Sequence, residues 1–320
     1  MTKIISALIC FASIVTAGMS FCAEKDVYDY EAQKNAPAGT KRIVFICAKG
    51  THGGRGSHEF QAGGMYFARR INALYPNAYA VVYTDDKWPR DLSNADAIIV
   101  LLNHAGKAAQ DINIKAAVDR GAGFMAIHFG VEVNKGMQGE NYLAWMGGYF
   151  ETFWSVNPFW NADVNMLGKH PTTNGVKPFQ VKDEWYYHMR FKEGMEGVTP
   201  ILSAIAPVET VHFKDNKPSD RGGNEDALKA VQNKEPQHLA WAYDRKGGGR
   251  GFGFTGFHVF DNLRNDGFRT TLLNGVAWVS GLDIPETGVA STTPTKEDLD
   301  ALMDEVHKPA PPKDGKEPAK

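Results

Sequence analysis

The sequence predicts an α/β protein with a doubly wound, mostly parallel sheet and a large insertion over the strand ends. Three observations carry that expectation. Short apolar runs occur at 42–48, which is rich in β-branched residues, and at 80–83, 97–102 and 123–128, as expected of strands buried on both faces. Segments of helical length separate them, at 59–74 and 106–120, and strands alternating with helices pair in parallel through right-handed crossovers. From about 140 to 235 the order loosens into a stretch rich in Trp, Tyr, Asn, Pro and Gly; it returns with strands at 237–243 and 251–258.

Ahead of the domain, Lys3 and the apolar run 4–21 read as a cleaved export signal over 1–23, cut after Cys22 or Ala23. The mature chain is then expected to be soluble and exported, periplasmic or secreted, with no membrane segment. Residues 24–40 suit a linker or an arm lying on the domain, which spans 41–283. Its first strand, RIVFICA, runs through a glycine-rich loop at 49–57 into the first helix, and AIIVLL at 97–102 is the strongest strand signal. One helix is expected over 106–120, and the strand 123–128 is closed by Phe129 and Gly130. The glycines of 247–253 lack the Gly-Lys-Ser/Thr ending of a phosphate loop and predict a tight hairpin. An amphipathic helix at 266–279 is stopped by Gly281, and 284–320 form a polar tail with one short helix capped by Thr295 and Asp298.

Composition narrows the partners. With 35 Lys and Arg against 37 Asp and Glu, the net charge of −2 gives no electrostatic case for nucleic acid or an anionic membrane. A small-molecule carbohydrate is the expected partner, and a homo-oligomer is left open. Cys10 and Cys22 fall in the export signal, so only Cys47 remains. One cysteine makes no internal disulfide, and within an apolar strand it reads as a small buried hydrophobe.

Ligands of parallel sheets gather beyond the carboxyl ends of the strands. His52 and His58 follow the first strand, His104 sits beside Asn103 after the third, His128 ends the fourth and His258 the last. His58 and Glu59 open a helix whose free N–H groups favour hydroxyl-rich or anionic ligands, so both are candidate substrate-binding residues, with His104. For each the alternative is a surface or hydrogen-bonded structural role. In the run 183–188, DEWYYH, an extended backbone would put Glu184, Tyr186 and His188 on one side. Trp185, with Trp154 and Trp160, would suit stacking on a sugar ring; core packing is the alternative for each.

Several segments together resemble the ThuA-like, trehalose-utilisation family: GSHEFQAG (56–63), AIHFGVEVNKG (126–136), GGYFETFWSVNP (147–158), DEWYYHMRF (183–191), PQHLAWAY (236–243) and GRGFGFTGFHVFDN (249–262). The stretch FRTTLLNGVAWVSGLDIP (268–285) fits equally well. The resemblance implies a glutamine-amidotransferase-like, flavodoxin-like fold. There, a nucleophilic cysteine occupies a G-x-C-x-G elbow, where this chain has Ala126-Ile127-His128-Phe129-Gly130. The amidotransferase histidine is matched by His258, but its following Glu position holds Phe260. Without Cys or Ser at 128, acyl-enzyme chemistry has no nucleophile, which argues against a glutaminase.

The same comparison brings His128 and His258 to one crevice. Two imidazoles there can act as an acid/base pair, with Glu184 as partner. With Glu184 they can equally be ligands of zinc or another divalent metal. The family's association with disaccharide catabolism implies an enzyme of hydrolase or lyase type acting on a carbohydrate or keto-sugar. The alternative is a non-catalytic sugar-binding protein using the same crevice.

Overall fold

A computed structural model of the chain describes residues 25–50, 52–213 and 221–307. The expected export signal and the end of the polar tail lie outside the described residues. Among the described residues no helix is long and apolar enough to cross a membrane.

Residues 25–40 lie along the edge of the sheet. Val27 is buried and its carbonyl accepts the Val82 N–H at 2.8 Å. A short helix α1 (Tyr30–Lys34) sends the Gln33 amide to the Ile43 and Tyr79 carbonyls at 2.9 and 3.1 Å. Then come β1 (Lys41–Cys47), α2 (Phe60–Leu74), β2 (Ala78–Thr84) and β3 (Ala97–Leu101). The helix expected over 106–120 is in fact two, α3 (Gly106–Gln110) and α4 (Ile112–Asp119). Asp111 between them is extended and accepts the N–H groups of Asn113 and Ile114 at 2.8 and 2.9 Å. An Asp side chain offers the backbone a better partner at a helix start than within one, so it caps a second helix.

The chain continues through β4 (Gly123–Ile127), α5 (Met137–Met146), β5 (Gly148–Tyr149), β6 (Phe159–Val164), β7 (Met166–Leu167), β8 (Phe179–Glu184), β9 (Arg190–Phe191) and β10 (Val198–Ala204). It closes with α6 (Glu225–Gln232), β11 (Gln237–Asp244), β12 (Arg250–Phe254), α7 (Asp266–Val279) and α8 (Lys296–His307). The eight-stranded central sheet runs β2-β1-β3-β4-β12-β11-β10-β7. The first five are parallel, and the remaining pairs are antiparallel. The hairpin expected at 247–253 joins β11 to β12, with Asp244 opposite Arg250.

The loosely patterned middle segment does more than lie over the strand ends, because β10 and β7 extend the sheet itself. Pro200 and the register shifts on either side of Leu202 break the alternation by which β10 would be recognised. Other parts of it form the pairs β5–β9 and β6–β8 and the helix α6. The chain just past β8 packs on the loop after β12 so closely that a Cβ on Gly256 would lie 2.6 Å from the Trp185 ring.

Alternation along each parallel strand divides the core. Ile43, Phe45 and Cys47 face α2 and α7, while Val44 and Ile46 join the cluster under α3, α4 and α5. Cys47 is fully buried, burial pushes its thiol up, and its sulfur fills the space above Gly64. Cys47→Ala is expected to lower unfolding stability by about 1 kcal/mol in urea titrations. The folded protein should not react with a polar thiol reagent on the timescale of minutes; rapid labelling would place the residue at the surface instead.

Candidate active site at the strand carboxyl ends

Strands β1, β3, β4 and β12 are parallel neighbours, so their carboxyl ends open on one edge. His58 leaves the loop after β1, immediately before α2. His128 follows β4 directly, and His258 lies four residues beyond β12. His58 and His128 hold the backbone at φ of 52° and 53°. That left-handed region costs a non-glycine residue on the order of 1 kcal/mol and collects at functional sites. The strain at His58 is held by its N–H, which donates to the His258 carbonyl at 2.9 Å.

Asp183 ties the remaining wall in place. Fully buried at the end of β8, its carboxylate accepts N–H groups from Glu184 at 2.7 Å and from Phe257 and His258 at 3.0 Å, and the Asn262 amide at 2.8 Å. The next residue, Glu184, is thereby aimed at the histidines. Its Oε2 lies 3.0 Å from His258 Nδ1, 3.3 Å from His128 Nε2 and 3.4 Å from the Tyr186 hydroxyl.

Carbonyl partners assign the tautomers. His128 Nδ1 lies 2.9 Å from the Thr255 carbonyl, and His58 Nδ1 meets the His52 carbonyl. A carbonyl only accepts, so both Nδ1 atoms carry hydrogen and both Nε2 atoms present lone pairs. Those two Nε2 atoms are 3.1 Å apart, beside the Glu184 carboxylate. Three electron-rich atoms at such distances require a cation among them, either a proton or a metal ion. Burial, reinforced by His128, lowers His58 to about 3, which disfavours the proton on that ring.

The donor set fits a divalent ion. His58, His128, Glu184 and His258 offer ligand atoms that all lie within 4.8 Å of one another. Tetrahedral zinc with bonds of about 2.0–2.1 Å has ligand–ligand edges of about 3.4 Å, close to the 3.1 and 3.3 Å found around His128 Nε2. Backbone carbonyls behind two of the imidazoles supply the outer support such ligands need.

Burial also works to raise Glu184, but hydrogen bonds and charge from His128 and His258 override it and hold the carboxyl down to about 2. Both shifts give metal-free protein the same pH dependence. An unfolded His58 binds its proton near pH 6.5 and an unfolded Glu184 near 4.5, while the folded forms resist it to about 3 and about 2. The unfolded state therefore takes up more protons, and stability falls as pH drops from 6.5 towards 2. Urea midpoints of chelator-treated protein should decline over that window, and His58→Gln should flatten the part above pH 4.5.

Of the residues expected from sequence, His128, His258, Glu184, Tyr186 and His58 come together. Four others do not. His188 would share the face of Glu184 only if the strand continued, but β8 ends at Glu184. His188 turns at φ 52° and stacks on Trp154 at 4.5 Å. Trp185 is buried against Phe254 and Phe268, with its indole N–H on the Val181 carbonyl at 3.2 Å. Glu59 turns back to accept the Gly56 N–H at 2.9 Å, and His104 Nδ1 accepts the Gly106 N–H at 3.2 Å. Among the described residues no tryptophan platform forms, since Trp160 is buried and donates to the Trp185 carbonyl at 2.9 Å.

The cleft above the histidines has a volume of about 230 Å³, and its lining includes Phe129, Asn157, Tyr186 and Arg221. The Arg221 guanidinium lies 5.2 Å from the Phe129 ring centre and 3.2 Å from the buried Glu132 carboxylate. Phe159, half exposed, sets its edge on His258 at 4.6 Å. Sequence reasoning missed Asn157 and Arg221 because both come from the irregular segment. It missed Thr255 because that residue contributes a backbone carbonyl. A larger hollow of about 890 Å³ beside Tyr30 and Trp88 contains none of these histidines.

The fold and site define an α/β protein with three imidazoles and a carboxylate gathered beyond the strand ends, where α/β enzymes bind their ligands. The chain belongs to the ThuA family, described as trehalose utilisation, whose model matches residues 51–279. The fold is similar to that of a ThuA-like protein from Bacteroides uniformis, with a TM-score of 0.50 and 16% identity over 75% of this chain and 91% of that one. No curated protein matches the chain in sequence.

Proposed function

We propose that this protein is an exported enzyme of hydrolase or lyase type, acting on a disaccharide-derived sugar or keto-sugar. A divalent ion such as zinc is held by His58, His128 and Glu184, three ligands that leave a coordination position for the substrate. The observation that carries this reading is the convergence of two Nε2 lone pairs, 3.1 Å apart, on one carboxylate. When bound, the ion supplies Lewis acidity toward a sugar carbonyl or hydroxyl oxygen.

The protein's own groups supply the rest. Glu184 holds His258 Nδ1, leaving that imidazole's other nitrogen for proton transfer at the substrate. The Tyr186 phenol, kept protonated by burial, is a hydrogen-bond donor beside the same carboxylate. Phe129 and Phe159 offer apolar faces to a sugar ring, while Asn157 and Arg221 offer hydrogen bonds to its hydroxyls. The small volume suits one ring at a time.

Metal analysis of protein purified without chelator should find close to one divalent ion per chain, and a screen of disaccharides and their keto derivatives should show turnover that chelator abolishes. Sugar binding that survives removal of both His128 and His258, with no turnover in the parent chain, would favour the non-catalytic binder. Export follows from the N-terminal pattern of Lys3 and 4–21. N-terminal sequencing of the native protein should begin at Ala23 or Glu24, and a start at Met1 would refute it.

A further inference from the structure

The match to the family ends at residue 279, and α8 lies beyond it. This helix packs on α2 through the buried Leu299 and Met303 and reaches the loop that carries His52 and His58. Its contacts reach two residues on that loop or its end. Arg55 pairs with Asp304 at 2.9 Å and with the Asp300 carbonyl at 3.2 Å. His307 Nε2 meets Glu59 Oε2 at 2.8 Å, and the other Glu59 oxygen accepts the Gly56 N–H at 2.9 Å. Further back, Arg69 grips Glu305 with both ends of its guanidinium at 3.0 and 2.7 Å.

These contacts differ in weight. Arg55 and Asp304 are exposed and screened, so their pair contributes little. Glu59 is almost fully buried, and losing a partner there leaves a carboxylate oxygen without compensation. The opposite side of the loop is fixed by the chain after β12, since Ser57 bridges Val259 and the Phe260 N–H donates to the Gly56 carbonyl at 2.9 Å. The loop is thus held between β12 and α8. Its conformation puts the His52 carbonyl on His58 Nδ1, the contact that directs the His58 Nε2 lone pair at His128.

We propose that His307 is a positioning residue for the site: through Glu59, and with Arg55 as second anchor, α8 clamps the loop so that His58 keeps its ligand-ready tautomer and orientation. The proposal rests on the metal-binding reading above only in its consequence for affinity. The clamp itself is a statement about the loop.

The test uses the full chain stripped of metal, with His307→Ala, His307→Gln and His307→Ala/Arg55→Ala variants. Hydrogen exchange of the 52–60 amides is measured without metal, and zinc affinity by competition with a chromophoric chelator. In His307→Ala the Gly56 and His58 amides should exchange about tenfold faster, with zinc bound about tenfold more weakly, as expected for an outer-shell support. The double variant should go further. His307→Gln, whose amide N–H can still reach Glu59, should recover most of both. Unchanged loop exchange in His307→Ala overturns the clamp, even if the melting temperature falls. Faster exchange with undiminished zinc affinity overturns its role in the site. If the parent chain binds no zinc, the metal reading fails and the clamp is judged on exchange alone.

Discussion

His128→Ala is expected to empty the site, reducing bound divalent metal from one equivalent to below a tenth and turnover of any responsive sugar by at least 100-fold. The imidazole is fully buried, and its Nε2 lies 3.1 Å from His58 Nε2 and 3.3 Å from Glu184 Oε2. Without it no other side chain occupies the centre of the cluster. His258→Ala should lose turnover to a similar degree, because it removes the group that Glu184 orients. The double variant should be scarcely worse than either single one, since groups acting as a unit are not additive. Plasma emission analysis of metal content and steady-state kinetics check the two halves. Fully active single variants would leave both histidines with a structural role only.

Asp183→Ala is expected to be the most destabilising substitution at the site, costing about 4 kcal/mol. The carboxylate accepts donors from Glu184, Phe257, His258 and Asn262 while fully shielded from water. A buried donor left without a partner costs about 1–3 kcal/mol, and a charged acceptor makes the stronger bonds. Water entering the space would recover part of the sum. Asp183→Asn is the sharper variant, because its volume is unchanged but its NH₂ group must confront a backbone N–H. Urea unfolding should show a markedly lower midpoint for both, and a loss below 1 kcal/mol would mean that the loop after β12 is held by other contacts. Asp183 does not line the cleft, so retained metal binding in the folded fraction would separate this framework role from the chemistry.

Much of the architecture is legible in local sequence. The runs at 42–48, 97–102 and 123–128 are strands because short, continuously apolar segments fill a sheet covered on both faces, and α7 occupies Asp266–Val279 as its amphipathic pattern predicts. The strand-end rule then places His58, His128 and His258 on one edge. Where the pattern is weak the reading fails. Asp111 ends a helix by capping the next, and Pro200 with its neighbouring register shifts conceals a sheet strand inside the irregular segment.

The tertiary structure alone decided which atoms meet. Alternation placed His188 beside Glu184, but alternation holds only while a strand continues, and β8 stops at Glu184. Trp185 became core, and Glu59 turned to α8, because each packs against a segment distant in sequence. The contacts that set the site's chemistry span long separations: the Thr255 carbonyl on His128 and the Asp183 carboxylate on the His258 N–H. Propensity and periodicity report how each segment is buried. They carry no information about a backbone carbonyl more than a hundred residues away, and such a carbonyl sets which nitrogen of His128 is free to bind.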